Sequence, residues 1–149
     1  MSPKTAQRKS TKSTKGFTAE EKAAMKARAK ELKAEAAKAD GASAVREALS
    51  GMAAADRALG ERIDAIVKKA APQLTPKTWY GMPAYANEDR KVVVFFRDAG
   101  KFKERYAMLG FNDSARLDQG SMWPIAFAVK ELTAADESKI RGLVKKAVS

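Results

Sequence analysis

Trp79-Tyr80-Gly81-Met82-Pro83-Ala84-Tyr85 is where this chain concentrates side chains able to hold a ligand. Three large aromatics crowd around a glycine and a proline, which a routine turn does not require. Gly81 opens backbone angles closed to other residues, and Pro83 fixes its own φ and pushes Met82 toward an extended conformation. The expected result is a stiff, kinked, extended segment that either closes a small core or lines a pocket. Trp79, Tyr80, Met82, Pro83, Tyr85 and, from further along, Trp123 are the candidate pocket residues. Phe96, Tyr106 and Met108 could join them on a sheet, with Arg97, Arg105 and Arg116 at the edge. Aromatics beside arginines suit a planar anionic ligand or a nucleobase. Aromatics packed only on one another make a core. Strand register separates the two readings, because a slip of one residue turns every side chain to the other face.

Catalytic chemistry is sparsely provided for. The chain has no histidine and no cysteine. A Ser-His-Asp triad, a histidine base, a zinc-hydrolase site, a thiolate and a disulfide are therefore all excluded. A metal would need oxygen ligands alone, which suits hard cations. The acidic clusters Glu88-Asp89, Asp113 with Asp118, and Asp136-Glu137 show no EF-hand or paired-carboxylate spacing. No metal site or cofactor is expected from these residues. There is also no phosphate-binding glycine loop. An enzyme would have to use Tyr or Lys for acid–base work, and the expectation is a non-enzymatic binding protein.

The net charge is +11 and unevenly spread. Residues 1–40 hold 11 basic and 5 acidic side chains, and the rest of the chain holds 18 and 13. More than half of the excess sits on roughly a quarter of the chain, which points to an anionic partner. The N-terminus is polar and lysine-rich without an apolar central stretch, and no run approaches the ~18 apolar residues of a membrane helix. A cytoplasmic location with no membrane partner is the expectation.

Residues 1–17, rich in Lys, Ser and Thr, cannot bury enough surface to offset ordering and are expected to be a disordered basic tail. Thr18 and Glu21 make a capping box for a helix over about 19–38, rich in Ala, Lys and Glu. On a wheel of ~100° per residue, Lys22, Lys26, Lys30 and Lys33 share one face, beside a thin seam of Met25, Ala29, Leu32 and Ala36. That lysine face is either a solvated surface or a contact for nucleic acid, ribosome or an acidic protein. Asp40-Gly41 is expected to end the helix, making 18–40 a basic exposed helix ahead of a domain over 41–149.

Within that domain, helices are predicted over about 43–52 and 54–71, the second burying Leu59, Ile63, Ile66, Val67 and Ala70 and stopped by Pro72. Short strands follow at 78–80 and 84–86 on either side of the Gly-Met-Pro kink. Val92–Phe96 reads as a central strand, and Asp98-Ala99-Gly100-Lys101 as a hairpin turn returning through Phe102–Phe111. A last strand runs from Met122-Trp123-Pro124 through Val129, and Thr133 caps a closing helix. The order gives an α+β fold: an antiparallel sheet of about five strands, helices on one face, and an exposed N-terminal helix. An uncovered aromatic sheet face would also favour a homodimer.

The Trp79–Tyr85 segment, Val92-Val93-Val94-Phe95-Phe96 and Trp123-Pro124 together resemble the YdhG-like family of small bacterial proteins, over roughly residues 45–148. Tyr80-Gly81-Met82-Pro83 is the most specific mark. The resemblance implies a compact α+β fold, most members having no assigned activity. Residues 16–33 are similar to a lysine-rich preface of actinobacterial relatives. One branch is described as frataxin-like, which implies an intracellular iron chaperone as the alternative function. Frataxin-type iron binding uses an acidic ridge, whereas this domain is net basic; Asp113 and Asp118 are the carboxylates that reading would test.

Overall fold

The computed structural model describes residues 18–149, and the tail expected over 1–17 lies outside the described residues. The chain divides into two compact units at Ala37–Lys38. In the first, helix α1 (Ala19–Ser50) begins with the expected capping box. The Glu21 N–H donates to Thr18 Oγ1 at 3.0 Å, and the Thr18 N–H donates to Glu21 Oε1 at 3.0 Å. Met25 and Leu32 are about half exposed, at 50% and 49%. The described residues of this unit are all exposed, so its helix rests on local propensity and capping.

The second unit holds the rest of α1, helix α2 (Ala54–Ala70), five strands and helix α3 (Ala134–Ala147). The strands are β1 (Thr75–Trp79), β2 (Met82–Ala86), β3 (Val92–Arg97), β4 (Ala107–Phe111) and β5 (Ala126–Val129). They form one antiparallel sheet in chain order. The α+β architecture with a five-stranded meander is the one expected. One boundary differs. Helix α1 runs unbroken through Asp40-Gly41, where the sequence predicts a stop. Gly41 serves close approach instead: a Cβ there would lie 1.8 Å from the backbone oxygen of Pro76. Val45 and Leu49, one and two turns on, are buried, and Leu49 reaches Gly60 of α2.

The helices pack on one face of the sheet. Ile63 and Val67 of α2, Ile140 and Val144 of α3, and Tyr85, Val94, Phe96, Leu109 and Phe111 of the strands share a single core. Met82, Ala84, Val92 and Phe95 form a second, smaller cluster with Trp79 and Met108. Period-two alternation accounts for the division along β2, where Met82 and Ala84 face one way and Tyr85 the other. On β3 the alternation is interrupted. Tyr85 pairs with Val94 but Ala86 pairs with Val92, which leaves Val93 as an extra residue. This bulge lets Val93 and Val94 both enter the helix-side core while Val92 and Phe95 point away.

One polar tie crosses that core. The Tyr85 hydroxyl donates to Asp64 Oδ1 at 2.5 Å, and Lys68 Nζ lies 2.9 Å from Asp64 Oδ2. Burial, then the Asp64 charge and hydrogen bond, push the Tyr85 hydroxyl well above its ordinary pKa of 10.0. Helix α3 is fixed at its start by a capping box between Thr133 and Asp136. The Thr133 hydrogen bonds, backbone first, hold the Asp136 carboxyl below its ordinary value.

Two outcomes are expected. Gly41→Ala raises intrinsic helix propensity by about 1 kcal/mol. It should nonetheless destabilise by about 1–3 kcal/mol in urea unfolding, since the collision is with backbone. Tyr85→Phe should cost about 1.5–3 kcal/mol, the range for a hydrogen bond to a charged group. A group with a raised folded pKa stabilises below its unfolded pKa, so the wild type should lose stability as pH rises above 10.0 and Tyr85→Phe should lose less there.

Candidate binding face of the sheet

Strand alternation places Trp79 and Lys77 on the face away from the helices, beside Met82 and Ala84, with which they pair. Phe95 lies beside Ala84, with Arg97 two residues further along β3, and Met108 pairs with Arg97. Phe95 lies down on the sheet because Gly110 is opposite it: a Cβ on Gly110 would stand 2.3 Å from the ring. Its ring meets Trp79 edge to face, with centroids 5.1 Å apart. Ala84 and Ala86 on β2 are small and buried between the larger side chains of β1 and β3. A hollow of about 330 Å³ opens on this side, lined by Lys77, Trp79, Arg90, Lys91, Asn112, Asp113 and Ser114. Its volume is at the lower end of small-ligand sites, ~300–1,000 Å³. An indole wall with a rim of Lys and Arg suits a planar anion.

At the near end of this face the chain reverses through Tyr80-Gly81, with Trp79 and Met82 paired across the turn. Both turn residues have positive φ, 52° and 78°. The segment is therefore a two-residue hairpin of the I′ kind rather than the extended kink that the sequence suggests. The special backbone freedom expected of Gly81 is used, but the turn needs left-handed geometry at Tyr80 as well. Pro83 falls one place into β2, paired with Thr78 beyond the pair that closes the turn, and pairing of β2 with β3 starts only at Ala84. Its missing N–H thus costs no ladder bond. A tyrosine in the left-handed region carries about 1–2 kcal/mol of strain. Its ring is 80% exposed, so burial does not offset that strain.

The connection between β3 and β4 comes to the same end. Lys101 Nζ sits over Gly81, where a Cβ would be 2.3 Å away. Arg97 and Lys101 lie 5.4 and 5.7 Å from the Phe102 ring centroid, and Arg105 lies 5.3 Å from that of Tyr106. Arg97 pairs with Glu104 at 2.7 Å. The buried carboxylates of Asp56 and Asp98 accept the N–H groups of Gly100 and Lys101 at 2.9 and 3.0 Å, so they shape the loop from within. Lys101, Lys103 and Arg105 are exposed around it. The sequence predicts a tight hairpin at 98–101, but these two aspartates hold a longer connection and β4 begins only at Ala107.

The six residues expected to share a pocket are separated by the sheet. Trp79 and Met82 are together on the open face, and Tyr80 stands at its end. Tyr85 and Pro83 are buried, Tyr85 in the helix-side core, and Trp123 packs against that same core. Trp123 instead lines a second hollow of about 470 Å³ with Asp118, Met122 and Ile125, which adjoins the first at Asn112 and Asp113. Phe96 is buried on the helix side, and Arg116 lines a hollow with Asn87, Glu88 and Ser149 rather than joining Arg97 and Arg105. The sequence pattern does not point to Lys77, Arg90, Lys91, Phe95, Lys101 or Phe102 as site residues. Only Lys77 has a local signal, since it stands two residues before Trp79 in a strand. Among the described residues no group of three or more acidic side chains is placed to hold a metal ion. Lys22, Lys26, Lys30 and Lys33 are all exposed on α1.

Comparison with family models, with curated proteins and with solved structures gives no match.

Asparagine enters the left-handed region more readily than tyrosine. Tyr80→Asn should therefore raise stability, by about 1 kcal/mol in chemical denaturation, while the circular dichroism spectrum in the backbone region stays unchanged.

Proposed function

We propose that this protein is a non-enzymatic binding protein whose partner is an anionic macromolecule, nucleic acid in the first place. The observation that carries the reading is the sheet face away from the helices, where half-buried Trp79 and a rim of cations surround a buried apolar patch of Met82, Ala84, Val92 and Phe95. It bears Trp79 and Phe95 together, with Lys77, Lys91 and Arg90 around the adjoining hollow, which Asp113 also lines, and Arg97, Lys101 and Arg105 at its end. Apolar rings alone would read as an exposed core or a dimer contact. Rings interleaved with cations favour bases and phosphates over an apolar partner. The exposed lysines of α1 and the net charge of +11 add attraction that does not depend on sequence. The resemblance to YdhG-like proteins is compatible with this role, and its Tyr80–Pro83 mark forms the turn and start of β2 that border the open face. The iron-chaperone alternative has no comparable observation behind it.

Binding of a mixed-sequence nucleic acid should weaken steeply with salt, because each lysine or arginine that neutralises a phosphate displaces a counterion. Replacing Lys22, Lys26, Lys30 and Lys33 together with Gln should flatten the slope of log K against log salt by up to about 3–4, close to one unit for each phosphate no longer neutralised. Fluorescence anisotropy across a salt series measures both. Absence of binding at low salt would overturn the reading, and an unchanged slope would remove α1 from it.

A further inference from the structure

Resting on the nucleic-acid reading above, we propose that the Tyr80 end of the sheet takes single-stranded nucleic acid, with one unpaired base stacked on Tyr80. The neighbouring phosphates would lie over Lys101, Lys103 and Arg105. Four observations converge on this end of the sheet. Tyr80 is 80% exposed although its ring is large and apolar, and its backbone is held in a region that favours glycine or asparagine. Its ring has one aromatic neighbour, Trp79, at 5.0 Å and 64°, an edge contact that leaves ring face free. Lys103 is also held at positive φ, 53°, so a second side chain at this end is presented by strained backbone. Finally, the acids nearest the loop are engaged: Glu104 with Arg97, and Asp56 and Asp98 with backbone N–H groups. The exposed cations Lys101, Lys103 and Arg105 therefore have no acidic partner among the ion pairs of the described residues.

Strained backbone is concentrated at ligand clamps and other functional sites, where the side chain it presents has a task. Stacking is such a task, because every base offers a π-face. Shape then separates single strands from duplex. Five strands spaced about 4.8 Å apart make a surface about 19 Å across. A B-DNA major groove is about 12 Å wide and admits a helix or a two-stranded ribbon. The two-residue turn at Tyr80-Gly81 leaves no ribbon standing clear of the sheet. Bases in a duplex are stacked on one another and closed to Tyr80, whereas unpaired bases are not.

The test uses the full-length chain and two labelled probes, a 12-mer oligothymidylate and a 12-base-pair duplex, at one fixed low salt concentration. The single strand should bind more tightly than the duplex and quench the intrinsic fluorescence. Tyr80→Asn, which suits the turn and keeps the fold, should weaken single-strand binding about tenfold. Tyr80→Phe should retain it. Lys101→Gln with Lys103→Gln should weaken it and lower the salt slope. If the duplex binds as well as the single strand, or Tyr80→Asn binds like the wild type, the inference is overturned while nucleic-acid binding stands. If neither probe binds, both readings are overturned together.

Discussion

The chain's one-sided layering depends on the alternation of β2 and β3 about the bulge at Val93. β2 must send Tyr85 toward Asp64 and the helices, and in doing so it sends Met82, Ala84 and Ala86 the other way. Without the extra residue on β3, Val94 and Phe96 could face the helices only if Val93 left that core. The bulge lets both valines pack inward while Phe95 stays outside with Trp79. Because Tyr85 is buried with its hydroxyl bonded to a carboxylate, slippage of β2 by one residue would strand a polar pair and bury none of the same apolar surface. The register is thereby fixed, and with it the set of side chains on the open face.

The proposed function rests on what that face is made of. Gly110 on β4 lets the Phe95 ring lie down on the sheet, where it meets Trp79 edge to face. Phe95, buried, and Trp79, half-buried, make the centre of a platform rimmed by Lys and Arg. The end of the platform is shaped by the loop between β3 and β4, which Asp56 and Asp98 hold from inside. These buried carboxylates on backbone N–H groups organise the loop from within. The exposed lysines of α1 belong to a separate compact unit.

The architecture was legible in the sequence because it rests on periodicity and punctuation. Pro72 ended α2, Thr133 capped α3, and the apolar run at Val92–Phe96 marked a central strand. The Asp40-Gly41 signal misled for a physical reason: glycine marks a turn and a close packing contact equally well, and only the Pro76 oxygen distinguishes them. The aromatic segment was recognisable as special, but its division between two faces was not. Met82 and Tyr85 lie three apart in a strand, so they must point oppositely, and that follows only once β2 is known to begin at Met82. The contribution of Lys101 to the hairpin end is a long-range contact, and no local pattern in the sequence encodes it.

The chain contains two tryptophans, one on each side of the sheet: Trp79 on the open face and Trp123 against the helix-side core. Their indole N–H signals in a ¹H–¹⁵N correlation spectrum, followed during titration with an oligothymidylate, report directly on which side an anionic partner occupies. The Trp79 signal should shift progressively to saturation while the Trp123 signal stays in place. Movement of Trp123 with Trp79 unchanged would place the partner on the opposite surface and contradict binding at the open face.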